Sequence, residues 1–166
     1  MARVYVSLGS NIDPARYIRE GVESLRRFYG ELTLSRVYES EPVGLDGDNF
    51  YNLVAAFDTD EDVVAVAGRL RAIEGFHGRQ RGPGANGCRF VPRTLDLDLL
   101  LYDRLVLEQD GLRLPREEIT RHAFVLCPLA ELAPDLSHPL EGRSMAELWR
   151  DFRGEDQPLW PIDFQW

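Results

Sequence analysis

Residues 92–102 of the chain read P-R-T-L-D-L-D-L-L-L-Y. Asp96 and Asp98 alternate with leucines, which is the two-residue period of a β-strand. Side chains two residues apart on a strand point to the same face, with about 6.6 Å between their backbones. Leu100 and Tyr102 follow in the same phase, so the pattern predicts that both carboxylates adjoin apolar surface on one face of a strand.

The closeness of the two aspartates has chemical consequences. Two carboxylates at this spacing repel each other, and ionising both beside apolar surface is costly unless cations compensate. Hard divalent cations suit such a pair, and two of them can share it at about 3.5–4 Å separation. The arginines that precede it suit an anionic partner such as a polyphosphate; they are Arg79, Arg81, Arg89 and Arg93. Taken alone, the stretch is equally typical of a half-buried strand with a solvated outer face.

Composition indicates a soluble globular protein and excludes several chemistries. The chain has 166 residues, 44% hydrophobic and 28% charged, and we expect one domain over residues 1–166. Its formal net charge of −9 disfavours a nucleic-acid partner, because phosphate backbones favour basic surfaces. All 19 basic residues are arginine, which excludes a P-loop, with its required lysine, and Schiff-base chemistry.

The cysteines, the histidines and the apolar runs indicate the compartment. Cys88 and Cys127 are far apart, and His77, His122 and His138 do not join them at the spacing of zinc ligands. No apolar run approaches the roughly 20 residues that cross a bilayer, and the first residues carry no signal-peptide pattern. The sequence therefore predicts a cytoplasmic protein without structural zinc and without a membrane partner.

The order of predicted elements indicates the fold class. We expect strands at 3–8, 32–40, 50–58 and 95–102, a helix that opens at Asp13-Pro14 and ends at Gly30, and a helix capped by Thr59 that runs to about Gly75. This β-α-β-β-α-β order is the split βαβ of a ferredoxin-like sandwich. It predicts an α+β protein with a mainly antiparallel sheet and helices on one face. A C-terminal extension follows, with a hairpin of 105–107 and 112–115, a largely helical segment at 117–132, and a helix at 145–152 capped by Ser144.

Three features outside the aspartate strand are ambiguous by themselves. Asn52 is an amide within an apolar strand, where it either satisfies a backbone neighbour or binds the edge of a heterocycle. Glu74 ends the second helix, where the helix dipole disfavours a carboxylate, so we expect a cation or a donor to contact it. Residues 77–91 are rich in glycine and arginine, which is typical of a loop that closes over phosphates and also of a plain surface loop.

Residues 89–100 (R-F-V-P-R-T-L-D-L-D-L-L) resemble the signature of the hydroxymethyl-dihydropterin pyrophosphokinase family of folate biosynthesis. Other motifs of that family follow the expected order along nearly the whole chain: 6–11 (V-S-L-G-S-N), 40–44 (S-E-P-V-G), 50–52 (F-Y-N), 123–126 (A-F-V-L), 128–129 (P-L) and 133–134 (A-P). Each motif alone is weak evidence, whereas several in the right order make a strong resemblance.

The resemblance implies a reaction and its catalytic residues. A pyrophosphoryl group would pass from ATP, the co-substrate, to the hydroxymethyl group of the pterin, and AMP would be released. Asp96 and Asp98 would hold two Mg²⁺ ions, while Arg79 and Arg93 would balance the charge that develops on the transferred group. Such chemistry depends on positioning and electrostatics without a covalent intermediate. We expect a monomer whose partners are these small molecules.

The resemblance also implies two sets of binding residues. The pterin would be bound by Ser40, Pro42, Val43, Phe50, Asn52, Phe90 and Phe124, with Asn52 at the edge of the ring. The ATP side would consist of Glu74, Arg81, Leu99, Arg113, Arg116 and His122.

Positions that depart from the family pattern include Val91, Phe90, Arg116 and His122, and the loop before Pro92 carries extra glycines. Val91 replaces the usual Gly or Ala before Pro-Arg, and a β-branched residue stiffens this hinge. Arg116 stands where the family has a histidine that contacts phosphate, and His122 stands where it has an arginine. This exchange would preserve phosphate binding and make it depend on the titration of His122. The sequence is therefore also compatible with a relative that has an altered nucleotide site, and with a non-catalytic pterin- or nucleotide-binding module.

Overall fold

The computed structural model describes residues 1–42, 47–78 and 94–166 of the chain. Its elements are β1 (Ala2–Ser10), α1 (Pro14–Tyr29), β2 (Thr33–Leu34), β3 (Tyr38–Ser40), β4 (Phe50–Thr59), α2 (Val63–Phe76), β5 (Asp96–Tyr102), β6 (Leu107–Gln109), β7 (Leu112–Leu114), α3 (Glu118–Arg121), α4 (Ala123–Leu132), α5 (Met145–Arg150) and β8 (Leu159–Pro161). Within these ranges no helix combines the length and the apolar composition of a membrane span. The predictions for Val43, Arg79, Arg81, Phe90, Val91 and Arg93 lie outside the described residues.

β1 lies between β4 and β5 in a six-stranded sheet. It pairs antiparallel with β4 along one edge and with β5 along the other. β4 also pairs with β2 and β3, and β8 pairs with the outer edge of β3. The strand order β5-β1-β4-β3, with all pairings antiparallel, confirms the predicted ferredoxin-like α+β fold. β6 and β7 form the predicted hairpin apart from the main sheet.

The sheet is buried on both faces. On one face Val4, Leu53 and Phe57 pack with apolar residues of α1 and α2. On the other face Tyr5 and Val54 pack with apolar residues of α4 and α5. The expectation that helices cover a single face is wrong, because central strands that are apolar in both phases need a layer on each side.

A β-bulge changes the phase of β5 after the two aspartates. Val6 of β1 pairs with Leu99 of β5, and Tyr5 pairs with Leu101. Leu100 of β5 is therefore an extra residue between the two pairs. Tyr102 therefore lies on the face covered by α2, where its hydroxyl donates to the Glu61 carbonyl at 2.6 Å. The prediction of a common face with the aspartates is thus wrong for Tyr102, whereas Leu100 lines the same cavity as they do.

Side-chain hydrogen bonds explain where element boundaries differ from the prediction. The predicted strand 32–40 is interrupted between β2 and β3 at Ser35, whose hydroxyl accepts from a β4 amide at 3.0 Å. Asp62 caps α2 by accepting from an amide of the first turn at 2.8 Å, whereas Thr59, the predicted cap, ends β4. Ser144 caps α5 through a capping box, as predicted.

The last residues of the chain return to the sheet beyond β8. The Ile162 amide donates to the Val37 carbonyl at 3.0 Å, next to β3. Arg19 of α1 donates to the Gln165 carbonyl at 2.7 Å. The tail therefore crosses from the edge of the sheet to α1 and covers the outer side of β3.

The contrast between Val66 and Val64 on α2 provides a test of this core. Val66 is 0% exposed and Val64 is 71% exposed. We expect Val66→Ala to lower the free energy of unfolding by about 2 kcal/mol, because two buried methyl groups are lost and a cavity remains. Val64→Ala, the same change two residues away, should be neutral or slightly stabilising, since alanine has the higher helix propensity. Urea unfolding of both variants makes the comparison, and equal losses would contradict the assignment of the buried face.

Candidate active site

A cavity of about 420 Å³ opens beside the two aspartates. Its floor is formed by neighbouring strands of the sheet, and its opposite wall by α3, α4 and the residues between them. Register brings the floor together, because Gly9 of β1 pairs with Asn52 of β4 on one side and with Asp96 of β5 on the other. The end of the sheet thus carries an amide and a carboxylate on either side of a glycine.

Residues that the resemblance assigns to pterin binding line one half of the cavity. They are Ser40, Phe50, Asn52 and Phe124. The Asn52 side chain donates to the Ser40 hydroxyl at 3.1 Å, and both residues are buried. This bond uses one of the two amide hydrogens, so the other hydrogen and the amide oxygen can serve a ligand. Pro42 is half-buried and lies outside the cavity lining.

Because Gly9 has no side chain, the Asn52 amide can pack directly against its backbone. A Cβ at position 9 would lie 2.8 Å from the Asn52 Oδ1 atom, closer than side chains normally approach. Sequence reasoning missed Gly9 and Ser7 as lining residues of the cavity. The signal was the shared phase of a small and a polar residue within an otherwise apolar strand.

Three carboxylates converge in the other half of the site. Glu74, Asp96 and Asp98 each offer one oxygen, and these oxygens lie within 4.8 Å of one another. Glu74 is 2% exposed and Asp96 is 9% exposed. Glu74 also accepts a hydrogen bond from the Leu97 amide at 2.9 Å, which confirms that a donor contacts this carboxylate at the end of α2. Hard oxygen donors at this density are a donor set that suits Mg²⁺.

Glu74 was predicted for the nucleotide side but not as a third member of the aspartate pair. α2 and β5 bring it there, because the last turn of α2 packs against the first residues of β5. Leu99 belongs to the core beneath α2 and does not line the cavity. Arg113 lies outside the cavity lining as well and pairs with Glu117 at 2.8 Å.

Arg116 joins the aspartate strand to the opposite wall. Its Nη2 atom lies 3.3 Å from Asp98 Oδ1, and its Nε atom lies 2.5 Å from Glu118 Oε2. Its backbone amide donates to the Leu100 carbonyl at 3.1 Å, which holds the residue beside β5. The predicted nucleotide residue Arg116 therefore lies in the cavity with the carboxylates.

His122 separates α3 from α4 and lines the cavity. The predicted helix 117–132 is interrupted here, because His122 has an extended backbone (φ −122°, ψ 124°). Its ring stacks on Phe124, with 4.9 Å between ring centroids and 18° between planes. Burial lowers the pKa of His122, an effect that Glu118 partly opposes. The ring is therefore neutral at neutral pH, and stacking rather than charge is its main contribution there.

Comparison with known proteins identifies relatives of the chain. A model of the 7,8-dihydro-6-hydroxymethylpterin-pyrophosphokinase (HPPK) family matches residues 5–134. The 2-amino-4-hydroxy-6-hydroxymethyldihydropteridine pyrophosphokinase of Pseudomonas aeruginosa is 41% identical over 150 residues, which cover 88% of this chain and 89% of that protein. The protein of the same name from Haemophilus influenzae is 31% identical over 156 residues, with 92% and 94% covered.

Solved structures agree on the fold. The crystal structure of Plasmodium falciparum HPPK-DHPS with STZ-DHP matches 91% of this chain with a TM-score of 0.71 and 14% sequence identity. The chain spans 45% of the length of that protein. At this identity the likeness concerns the fold alone.

Gly9→Ala tests the close approach of β1 to the Asn52 amide. We expect a loss of about 1–3 kcal/mol in the free energy of unfolding, because the added methyl group displaces the amide or shifts the strands. Gly68→Ala on α2 is the control, since a Cβ there meets nothing within 4 Å. That change should stabilise the helix by about 0.5–1 kcal/mol. Urea unfolding compares the two, and a neutral Gly9→Ala would contradict the tight packing.

The burial of His122 predicts a pH dependence of stability. Below a pH of about 6.5 the unfolded chain binds a proton at this ring, whereas the folded chain resists it down to its lowered pKa. The free energy of unfolding should therefore fall as the pH drops through this window, and His122→Gln should make the fall shallower. Part of the slope should remain, because burial also lowers the pKa of His138. Urea unfolding at pH 7.5 and pH 5 measures the slopes, and identical slopes would refute the effect.

Proposed function

The chain belongs to the 7,8-dihydro-6-hydroxymethylpterin-pyrophosphokinase family, and from this premise we propose that it transfers a pyrophosphoryl group from ATP to 6-hydroxymethyl-7,8-dihydropterin, releasing AMP. The chain is thus a pyrophosphokinase of folate biosynthesis. The observation that carries the proposal for its site is the convergence of Glu74, Asp96 and Asp98 beside a cavity with a buried amide and aromatic rings. Such a site suits a metal-bound polyphosphate next to a flat heterocycle.

The carboxylates fit the cofactor that the resemblance implies. Asp96 and Asp98 would hold two Mg²⁺ ions, and Glu74 lies close enough to contribute a further oxygen or to orient one of the aspartates. When bound, the metal supplies charge neutralisation along the phosphates of ATP. The protein supplies the rigidity of this arrangement, because the Leu97 amide and the pairing of β5 with β1 hold the carboxylates in place.

The pterin fits the other half of the cavity. Asn52 has one amide hydrogen and one oxygen for the polar edge of the ring, and the Ser40 hydroxyl holds the amide in its orientation. Phe50 and Phe124 offer apolar surface, and the neutral ring of His122 extends the surface of Phe124. This pocket would direct the hydroxymethyl group towards the aspartates, with Glu41 at its rim.

The phosphates require cationic partners, which here are arginines. Arg116 lies in the cavity and can donate to phosphate oxygens through its planar guanidinium. Arg79, Arg81 and Arg93 have the same role in the proposal by resemblance. No residue need form a covalent bond to the transferred group, because positioning and electrostatic stabilisation suffice for this class of reaction.

The remaining predictions concern the setting of the enzyme. A net charge of −9 disfavours a nucleic-acid partner. Small anionic substrates need only the arginines of the site itself. A monomer and a cytoplasmic location stay predictions, which sedimentation and fractionation can test.

Identification of the products tests the proposed function. The protein is mixed with Mg²⁺, ATP and 6-hydroxymethyl-7,8-dihydropterin, and AMP is resolved from ADP by ion-exchange chromatography. We expect pterin-dependent AMP, and we expect Asp96→Asn to lower its rate by on the order of 10²–10³, since a main electrostatic element of the site is lost.

The matched control is Asp60→Asn, because the Asp60 side chain is 84% exposed. It should behave as the unchanged protein. ADP in place of AMP would point to a different phosphoryl transfer. Saturable pterin binding without any turnover would instead indicate a binding module.

A further inference from the structure

Arg116 contacts a carboxylate of the proposed metal site. The 3.3 Å contact with Asp98 places its guanidinium where it shares that carboxylate with any metal ion held by the cluster. Glu118 contacts the Nε atom of the same guanidinium at 2.5 Å. The positive charge of Arg116 thus repels a metal ion that approaches Asp98.

The contact between Arg116 and Asp98 is weak enough for a metal ion to replace Arg116 at Asp98. The Arg116 and Asp98 side chains are 34% and 35% exposed, so the pair contributes little to stability and is cheaply broken. An arginine stays charged at any physiological pH, so it opposes the approach of a dication under all such conditions. Competition between Arg116 and a metal ion for Asp98 should therefore be real but easily reversed.

The backbone around Arg116 allows the side chain to move without unfolding the site. The amide of Arg116 is bonded to Leu100, and α3 begins at Glu118 just beyond it. Among the described residues that line the cavity, Arg116 is the one arginine. A polyphosphate in the cavity would give its guanidinium a new anionic partner when a metal ion takes Asp98.

We propose that Arg116 couples metal binding to polyphosphate binding: its guanidinium pairs with Asp98 and Glu118 until Asp98 binds a metal ion, and then donates to a phosphate oxygen. The inference rests on the proposed function, since it needs the carboxylate cluster to hold a divalent cation. Arg116 thereby weakens metal binding without nucleotide and strengthens it with nucleotide. By linkage, the metal strengthens nucleotide binding by the same factor.

Binding of Mn²⁺ measures this coupling without turnover. Free Mn²⁺ is followed by its EPR signal, with and without α,β-methylene-ATP, whose α–β bridge resists the reaction. We expect Arg116→Gln to bind Mn²⁺ more tightly than the unchanged protein without nucleotide, by on the order of 5- to 150-fold. We also expect it to lose most of the gain in affinity that the nucleotide produces.

Two further variants separate local charge from other effects. Arg121→Gln removes the same charge from the same region, but Arg121 is 65% exposed and pairs with Glu117, so it should behave as the unchanged protein. Arg116→Lys keeps the charge and should retain weak binding without nucleotide. Arg116→Met is a second neutral variant for the case in which Arg116→Gln fails to fold.

The outcomes distinguish this inference from the function on which it rests. If Asp98→Asn leaves Mn²⁺ binding unchanged, the cluster is not the metal site and the metal-dependent function fails. If Asp98→Asn weakens binding while the neutral variants of Arg116 bind Mn²⁺ no more tightly than the unchanged protein, only the coupling by Arg116 is overturned.

Discussion

The antiparallel pairing of β1 along both of its edges is the constraint on which the site depends. It places Gly9 between Asn52 and Asp96, so that an amide and a carboxylate from two different strands face one cavity. A shift of one residue in either pairing would turn these side chains towards the core beneath α1 and α2. Apolar residues in both phases of β1 and β4 make such a shift costly, because each face is already packed.

The carboxylate cluster places like charges close together, and the register of β5 holds them there despite their repulsion. Glu74, Asp96 and Asp98 crowd negative charge into a partly buried site of a protein that is already acidic. Such a cluster costs stability unless donors and cations compensate. The Leu97 amide and Arg116 supply part of this compensation, and the rest suits a divalent cation. Like charges in a partly buried position are unfavourable for stability, and such an exception is typical of a functional site.

Local patterns predicted much of the fold and several residues that line the cavity, and failed where an interaction between distant elements intervenes. The alternation of Asp96 and Asp98 was sufficient to place both in one cavity. The same alternation misplaced Tyr102, because a bulge formed against β1 shifts the phase of β5. The second helical layer was missed for a related reason, since apolar residues in both phases show that a strand is buried without showing what covers it.

The sequence by itself determined the main elements, their ferredoxin-like order and the aspartate pair, because periodicity and turn residues are local properties, and the order of its motifs indicated the family by resemblance. Only the tertiary structure decided that Glu74 completes the cluster and that Arg116 links Asp98 to Glu118. The physical reason is that these contacts join separate elements. Their distances depend on how α2 and the residues before α3 pack against β5, and no local period encodes that packing.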